Sequence, residues 1–235
     1  MNVFAIPGDV FDEVKAAAAS AWNWVAPVVL SALVGAISAM VIFSQPAIQQ
    51  QMREQQAKAM DRQVKSGHMT QEQADQALAI AEKFTGPTML KIFGAVGAVV
   101  VSIVRVLWWA LVLWLLGKWF LKTSFGYGKT LEITGLAMMV SVLGALVTLL
   151  LTVNLARMFA TPSLALAIPD FDATRKSHLM LGAINVFSLW QVGLMALGLA
   201  RLAGAPFLRA AWLVFSYWVA QQLFFILIGL GQFVL

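Results

Sequence analysis

Hydrophobic and polar positions fall into long blocks along this chain, and the blocks set its architecture. Residues 22–43 carry no charge over about 22 positions, close to the ~20 that cross a hydrocarbon core of about 30 Å, and Trp22 and Trp24 suit a membrane interface. Residues 44–83 reverse the pattern, with glutamines, charges of both signs and almost no large apolar side chains, which places them in water. Apolar character returns at Gly86-Pro87 and runs to Leu121. At ~1.5 Å per residue that is about 50 Å of helix, more than one bilayer core and less than two spans plus a turn, so it reads as one long or bent helix. A short basic, glycine-rich turn over residues 123–130 leads to a third span at 131–153. A proline-containing connection occupies 154–183, with the apolar stretch 162–169 resting on the membrane surface or packed against the bundle. A fourth span opens at Asn185, and Ala205-Pro206 turns it directly into a fifth at 207–233. The predicted fold class is all-α, a polytopic membrane protein: a five-transmembrane-helix bundle with a polar helical hairpin between the first two spans.

Smaller signals organise the water-exposed parts. Residues 1–21 form an amphipathic segment in which Asp9 is positioned to cap a helix, with Asp12 and Glu13 in its first turn. Val10, Phe11, Val14, Ala17 and Ala18 share a face, so the segment either lies in the headgroup plane or simply extends the first span. The acidic residues replace the basic region of a secretory signal, so the first apolar run is expected to be retained. Within the connector 44–86, Pro46 opens one helix, Ser66-Gly67 ends it, and Thr70 with Gln73 makes a capping box for the next, which runs to Phe84. Residues 87–235 then hold the remaining four spans. Small residues recur every fourth position in three spans: Ser31, Gly35 and Ala39; Ala137, Ser141 and Ala145; Ala196, Ala200 and Gly204. They mark faces for close helix packing.

Composition narrows the class further. Hydrophobic residues make up 60% of the chain, charged ones 11%, and the mean hydropathy is +0.81, too apolar to be hidden inside a soluble globule of this length. Lysine and arginine outnumber acids 16 to 11, but the excess is scattered over membrane-flanking segments, which suits phospholipid headgroups and not nucleic acid. The absence of cysteine excludes disulfides, thiolate metal sites and cysteine nucleophiles, and His68 and His178 alone do not make a zinc site. No cofactor is called for. No Ser/His/Asp set, phosphate loop or paired intramembrane carboxylates are apparent, so an enzyme is not expected.

The candidate chemistry is therefore polar groups in apolar surroundings. Arg105 lies within the second span or near its edge, where an arginine costs about 3 kcal/mol on insertion scales; it either snorkels to headgroups or contacts a lipid or substrate. Gln191, Gln221 and Gln222 sit at membrane depth and either bond between helices or line a polar path. Glu132 stands at the start of the third span, where a helix N-terminus tolerates a carboxylate. On the hairpin, Ala74, Ala77, Leu78 and Ala81 make an apolar stripe only partly matched by Met52, Ala59 and Met60, leaving the hairpin either self-packed or a docking surface for a partner.

One stretch is distinctive. Asn185-Val-Phe187-Ser188-Leu-Trp190 enters an apolar helix that closes with Gly198-Leu-Ala-Arg-Leu-Ala-Gly204 and is followed by a final apolar helix. This order and motif resemble the Yip domain family of integral membrane proteins, in its bacterial branch. The glycine-rich run from Phe125 to Leu136 looks like the family's opening to its third membrane helix, although Leu136-Ala-Met-Met139 stands where members often carry a Tyr and a Pro. The resemblance implies a multi-pass protein of the bacterial inner membrane with a cytoplasmic N-terminus. The family's eukaryotic members look like organisers of vesicle traffic that bind lipidated small GTPases. For a bacterial member it implies a membrane adaptor or scaffold whose partners are membrane lipids and another membrane complex, such as a transporter. The alternative is a small permease or lipid-handling protein using Arg105, Gln191, Gln221 and Gln222.

Charge alone does not orient the chain. With a cytoplasmic N-terminus, Lys15, Lys118, Lys122, Lys129, Arg201 and Arg209 lie inside against Arg157, Arg175 and Lys176 outside, but the hairpin's own basic residues reverse the count. Single cysteines introduced at Gln56 and Thr123 decide it with an impermeant maleimide on intact cells: labelling at Gln56 alone is expected, and labelling at Thr123 alone overturns the orientation.

Overall fold

A computed structural model describes residues 3–84 and 86–231; the expected end of the fifth span at Phe233 lies outside them. The described residues form helices α1 (Pro7–Ala16), α2 (Trp22–Ile42), α3 (Pro46–Lys65), α4 (Gln71–Phe84), α5 (Pro87–Phe120), α6 (Tyr127–Leu155), α7 (Lys176–Ala183), α8 (Val186–Ala203) and α9 (Phe207–Leu227), with a short 3-10 turn at Leu164–Ala167. Five of them, α2, α5, α6, α8 and α9, are long and apolar enough to cross a membrane. Their outward faces are apolar too. Val100, Val101 and Val104 on α5 and Leu223 and Phe224 on α9 are all exposed, a girdle no water-soluble protein would show and one that lipid tails cover.

Because lipid supplies no hydrophobic drive between helices, such a bundle is held by close packing, and glycines permit it. α6 lies at the centre, against α2, α5 and α8. Gly135 of α6 meets the backbone of α2 so closely that a Cβ there would stand 2.7 Å from the carbonyl oxygen of Asn23 and nearer still to Trp24. Gly198 of α8 gives the same access to Ile133 of α6, and Gly144 of α6 receives the ring of Phe187. The stripe on α2 packs on α5: Gly35 abuts Ala98, and Gly94 abuts Ala39 and Phe43. Around these contacts Val106, Leu113, Ile133, Ala137, Met195 and Leu199 form a single buried core.

The two ends of the bundle are distinct. One end carries α1, the 121–126 turn and the α8–α9 turn; the other carries the α3–α4 hairpin and the connection 156–185. Alternation of five spans requires this division. α1 starts at Pro7, which fixes the backbone for the first helical position, so Asp9 sits inside the first turn and does not cap it. Its apolar face is neither in the headgroup plane nor an extension of α2. Phe11 and Val14 are buried in the main core, with Val3 ahead of them, and residues 17–21 separate the helix from α2. In the hairpin, Thr70 Oγ1 accepts the Gln73 N–H at 3.2 Å and Gln73 Oε1 accepts the Thr70 N–H at 3.0 Å, the reciprocal box expected from the spacing.

Gly135→Ala should destabilise the bundle by about 1–3 kcal/mol, because the obstructing atoms are backbone and cannot rotate away. Gly193→Ala, on a helix position with nothing within 4 Å of the added carbon, should be neutral or slightly stabilising. Thermal unfolding of both variants in detergent, followed by size exclusion, separates the two outcomes.

Candidate functional site

Three helices converge on a polar cluster inside the span region. Gln191 of α8 is 2% exposed, and its Oε1 accepts from Arg105 Nη2 of α5 at 3.1 Å and from the hydroxyl of Ser141 on α6. Arginine can only donate, so this pairing fixes the amide with its oxygen toward Arg105; Gln191 Nε2, buried as well, has no acceptor among the described residues. Arg105 itself remains exposed on the outer surface of α5. One turn along, Trp108 Nε1 donates to Tyr217 Oη of α9 at 2.9 Å, and the Trp109 and Tyr217 rings meet edge to face at 5.5 Å. Ala210, Val214 and Tyr217 define the inward face of α9, and Gln221 continues it at helical spacing. Gln222 follows Phe215 and Trp218, which also pack against the core. Neither glutamine side chain makes a hydrogen bond among the described residues. The fold thus unites Arg105 with Gln191 and gives Gln221 and Gln222 no bond to that pair. Ser141 read as a small-residue packing position; its hydroxyl is what the sequence reading passed over.

At the hairpin end, α3 is fastened to the connection after α6. Gln51 Nε2 donates to the Ala156 carbonyl at 2.7 Å while its Oε1 accepts the Met158 N–H at 2.9 Å. Gln55 Nε2 reaches the Phe171 carbonyl at 3.4 Å, and Arg62 binds Asp172 at 2.5 Å. These residues occupy one face of α3 at helical spacing, so the contact face is a polar stripe, where the sequence reading weighed only apolar ones. A cavity of about 410 Å³ lies at the α1 end, and one of about 270 Å³ lies between α3 and this connection, lined by Glu54, Lys58, Arg157 and Asp170 among others. On the docking stripe, Ala74 is buried while Met52, Ala77, Leu78 and Ala81 are half-buried.

Opposite the hairpin, charges clamp α1. Lys129 Nζ donates to the carbonyls of Val14 in α1 at 2.7 Å and of Ala17 just after it at 2.9 Å, and lies 3.0 Å from Glu132 Oε1 in an ion pair. The other oxygen of Glu132 accepts from Asn23 Nδ2 at 2.6 Å. Arg201 pairs with Asp12 at 3.0 Å, and its carbonyl accepts Lys15 Nζ at 2.8 Å. Glu132 is therefore a buried structural partner of Lys129 and Asn23, a role visible in sequence only as the three-residue spacing from Lys129.

The distinctive motif turns out to start, pack and stop one helix. Asn185 Oδ1 accepts the N–H of Phe187 at 2.9 Å and of Ser188 at 3.4 Å, capping α8. Trp190 stacks edge to face with Phe4 at 6.0 Å, Gly198 admits Ile133, and Gly204 ends the helix at φ 63°. Together the five spans and their polar ends define a polytopic all-α membrane protein. The sequence profile of the Yip1 domain matches residues 1–230, and the chain belongs to that family. Neither the curated proteins nor the solved structures contain a match.

Burial pushes the Asp172 carboxyl up, but hydrogen bonds from the Thr174 hydroxyl and N–H and from Arg62 outweigh it and hold the group below the ordinary carboxylate range. A depressed carboxyl stabilises the fold above its unfolded value, about 4, and loses that contribution as pH falls through its lower folded value. The Arg62–Asp172 contact should therefore hold at pH 5 and open only below about pH 4. Amide exchange over residues 156–172 measures this, and Asp172→Asn should raise that exchange already at neutral pH.

Proposed function

We propose that this protein is a non-catalytic membrane adaptor of the Yip type, which holds its polar hairpin in a fixed position for a partner membrane complex, such as a transporter, in a bacterial inner membrane. The observation that carries this reading is the fastening of α3 by Gln51, Gln55 and Arg62 to the connection after α6. A linker that merely joined two spans would need no such contacts. Ordering the hairpin in advance removes a cost that a partner would otherwise meet on binding. It leaves the outer side of α4, with Gln73 exposed and Ile80 58% exposed, turned to solvent. A solute path through the bundle would need Arg105, Gln191, Gln221 and Gln222 to be continuous, and neither Gln221 nor Gln222 bonds to the Arg105–Gln191 pair, which favours adaptor over permease.

A photo-crosslinking residue at Gln73 or Ala77, used in native membranes, tests the proposal. Capture of a reproducible membrane-protein partner is expected, and the paired substitutions Gln51→Ala and Arg62→Ala should reduce that capture severalfold by freeing α3. Capture of nothing but the protein itself overturns it.

A further inference from the structure

Among the described residues Arg105 has no counter-ion in the bundle. α2, α5, α8 and α9 contain no aspartate or glutamate, and the one carboxylate of α6, Glu132, is engaged by Lys129 and Asn23. Depth makes this costly. Ala98 of α5 lies against Gly35 of α2, and the helices run in opposite directions, so Arg105, seven residues on, stands level with Val28. That is about 9 Å inside Trp22 at the helix rise. The guanidinium does not escape by snorkelling to that boundary. It is drawn to Gln191 on the neighbouring α8, and Gln191 is tied to Ser141, six residues into the bundle from the Gly135–Trp24 contact.

The chemistry of the cluster is also one-sided. Arg105 offers five N–H donors and the structure uses one; Gln191 Nε2 is a buried donor without an acceptor among the described residues. Gln191 Oε1, the acceptor that faces Arg105, already serves two donors, and the hydroxyl oxygen of Ser141 is a neutral acceptor that leaves the charge unpaired. The complement of a fixed, lipid-exposed, donor-rich cation at this depth is an anion with several acceptor oxygens. A phosphate group matches the fork of a guanidinium with two parallel hydrogen bonds.

We propose that Arg105, held in place by Gln191, is the anchor of a phosphate-binding site on the outer face of α5, and that the phosphodiester of an anionic phospholipid occupies it, drawn below the headgroup plane where the bilayer thins around the cation. The site sits where α5, α8 and α9 meet, and the Trp108–Tyr217 hydrogen bond borders it one turn away. It is independent of what the hairpin binds, since the two lie on different parts of the molecule.

The test is native mass spectrometry of the full chain reconstituted in phosphatidylcholine vesicles containing a minority of phosphatidylglycerol, then released into mild detergent. Wild type should retain a phosphatidylglycerol that Arg105→Leu loses by about tenfold, with Arg105→Lys intermediate because lysine lacks the fork, and with Arg53→Leu on the hairpin unchanged. If Arg105→Leu does not yield a monodisperse protein, Arg105→Gln supplies the same comparison. A parallel arm adds inorganic phosphate to lipid-free protein: a phosphate adduct that depends on Arg105, in the absence of preferential phosphatidylglycerol retention, keeps the site and assigns it to a free anion. Equal phosphatidylglycerol retention by wild type and the neutral variants, with no Arg105-dependent phosphate adduct, overturns the proposal.

Discussion

The backbone contact between Gly135 of α6 and Asn23-Trp24 of α2 fixes the height at which everything else is placed. In a bilayer the packed and separated helices are equally shielded from water, so association depends on how closely surfaces approach. Two glycines set that approach for α6, Gly135 toward α2 and Gly144 toward Phe187, while Gly198 sets it for α8. With α6 and α8 in register, Ser141 meets Gln191, and Gln191 meets Arg105. The same register leaves Glu132 beside Asn23 at the α1 end. The polar contacts are consequences of the packing, and they then penalise any other register, because sliding a helix by one turn would strand a guanidinium, a carboxylate and an amide in hydrocarbon.

Polar groups serve different ends at the three levels of the molecule. At the α1 end, Lys129 and Arg201 bind carbonyls and carboxylates of neighbouring helices and turn an amphipathic segment into part of the bundle. At the hairpin end, glutamine side chains bind main-chain groups of a connection that has little regular structure of its own, satisfying backbone donors and acceptors that would otherwise need water. Between them, the Arg105 cluster has donors left over. The first two pair their charges within the protein and read as architecture; the third holds a cation that meets only a neutral amide and reads as a place for something else.

The helices and their membrane class were legible because long uncharged runs have few alternatives in water, and the termini were legible where capping chemistry is local, as at Thr70 with Gln73 and at Asn185. Pro7 competed with Asp9 for the start of α1 and prevailed, since a fixed φ at the first helical position outweighs a side-chain cap two residues later. The packing of α1 on α8 was not legible: an amphipathic helix presents the same stripe to headgroups as to protein, and only the distant partners Lys129 and Arg201 distinguish them. Arg105 and Gln191 stood out singly as polar residues at depth, but their meeting depends on the relative height of α5 and α8, which no local pattern encodes. The hairpin contact escaped for a different reason, because glutamine and arginine at helical spacing look like a solvated face until the carbonyls they bind are in place.

The central claim is that the α3–α4 hairpin and the connection after α6 meet as one assembly on the same side of the bundle. Glu54 and Asp170 line the cavity between them without bonding to each other, so cysteines at these two positions leave the fastening residues intact. In native membranes a short thiol-to-thiol crosslinker should join the pair efficiently, while a matched pair at Glu54 and Thr123, on opposite ends of the bundle, should not react. Absence of the Glu54–Asp170 crosslink, or access to the two cysteines from opposite sides of the membrane, would contradict the account.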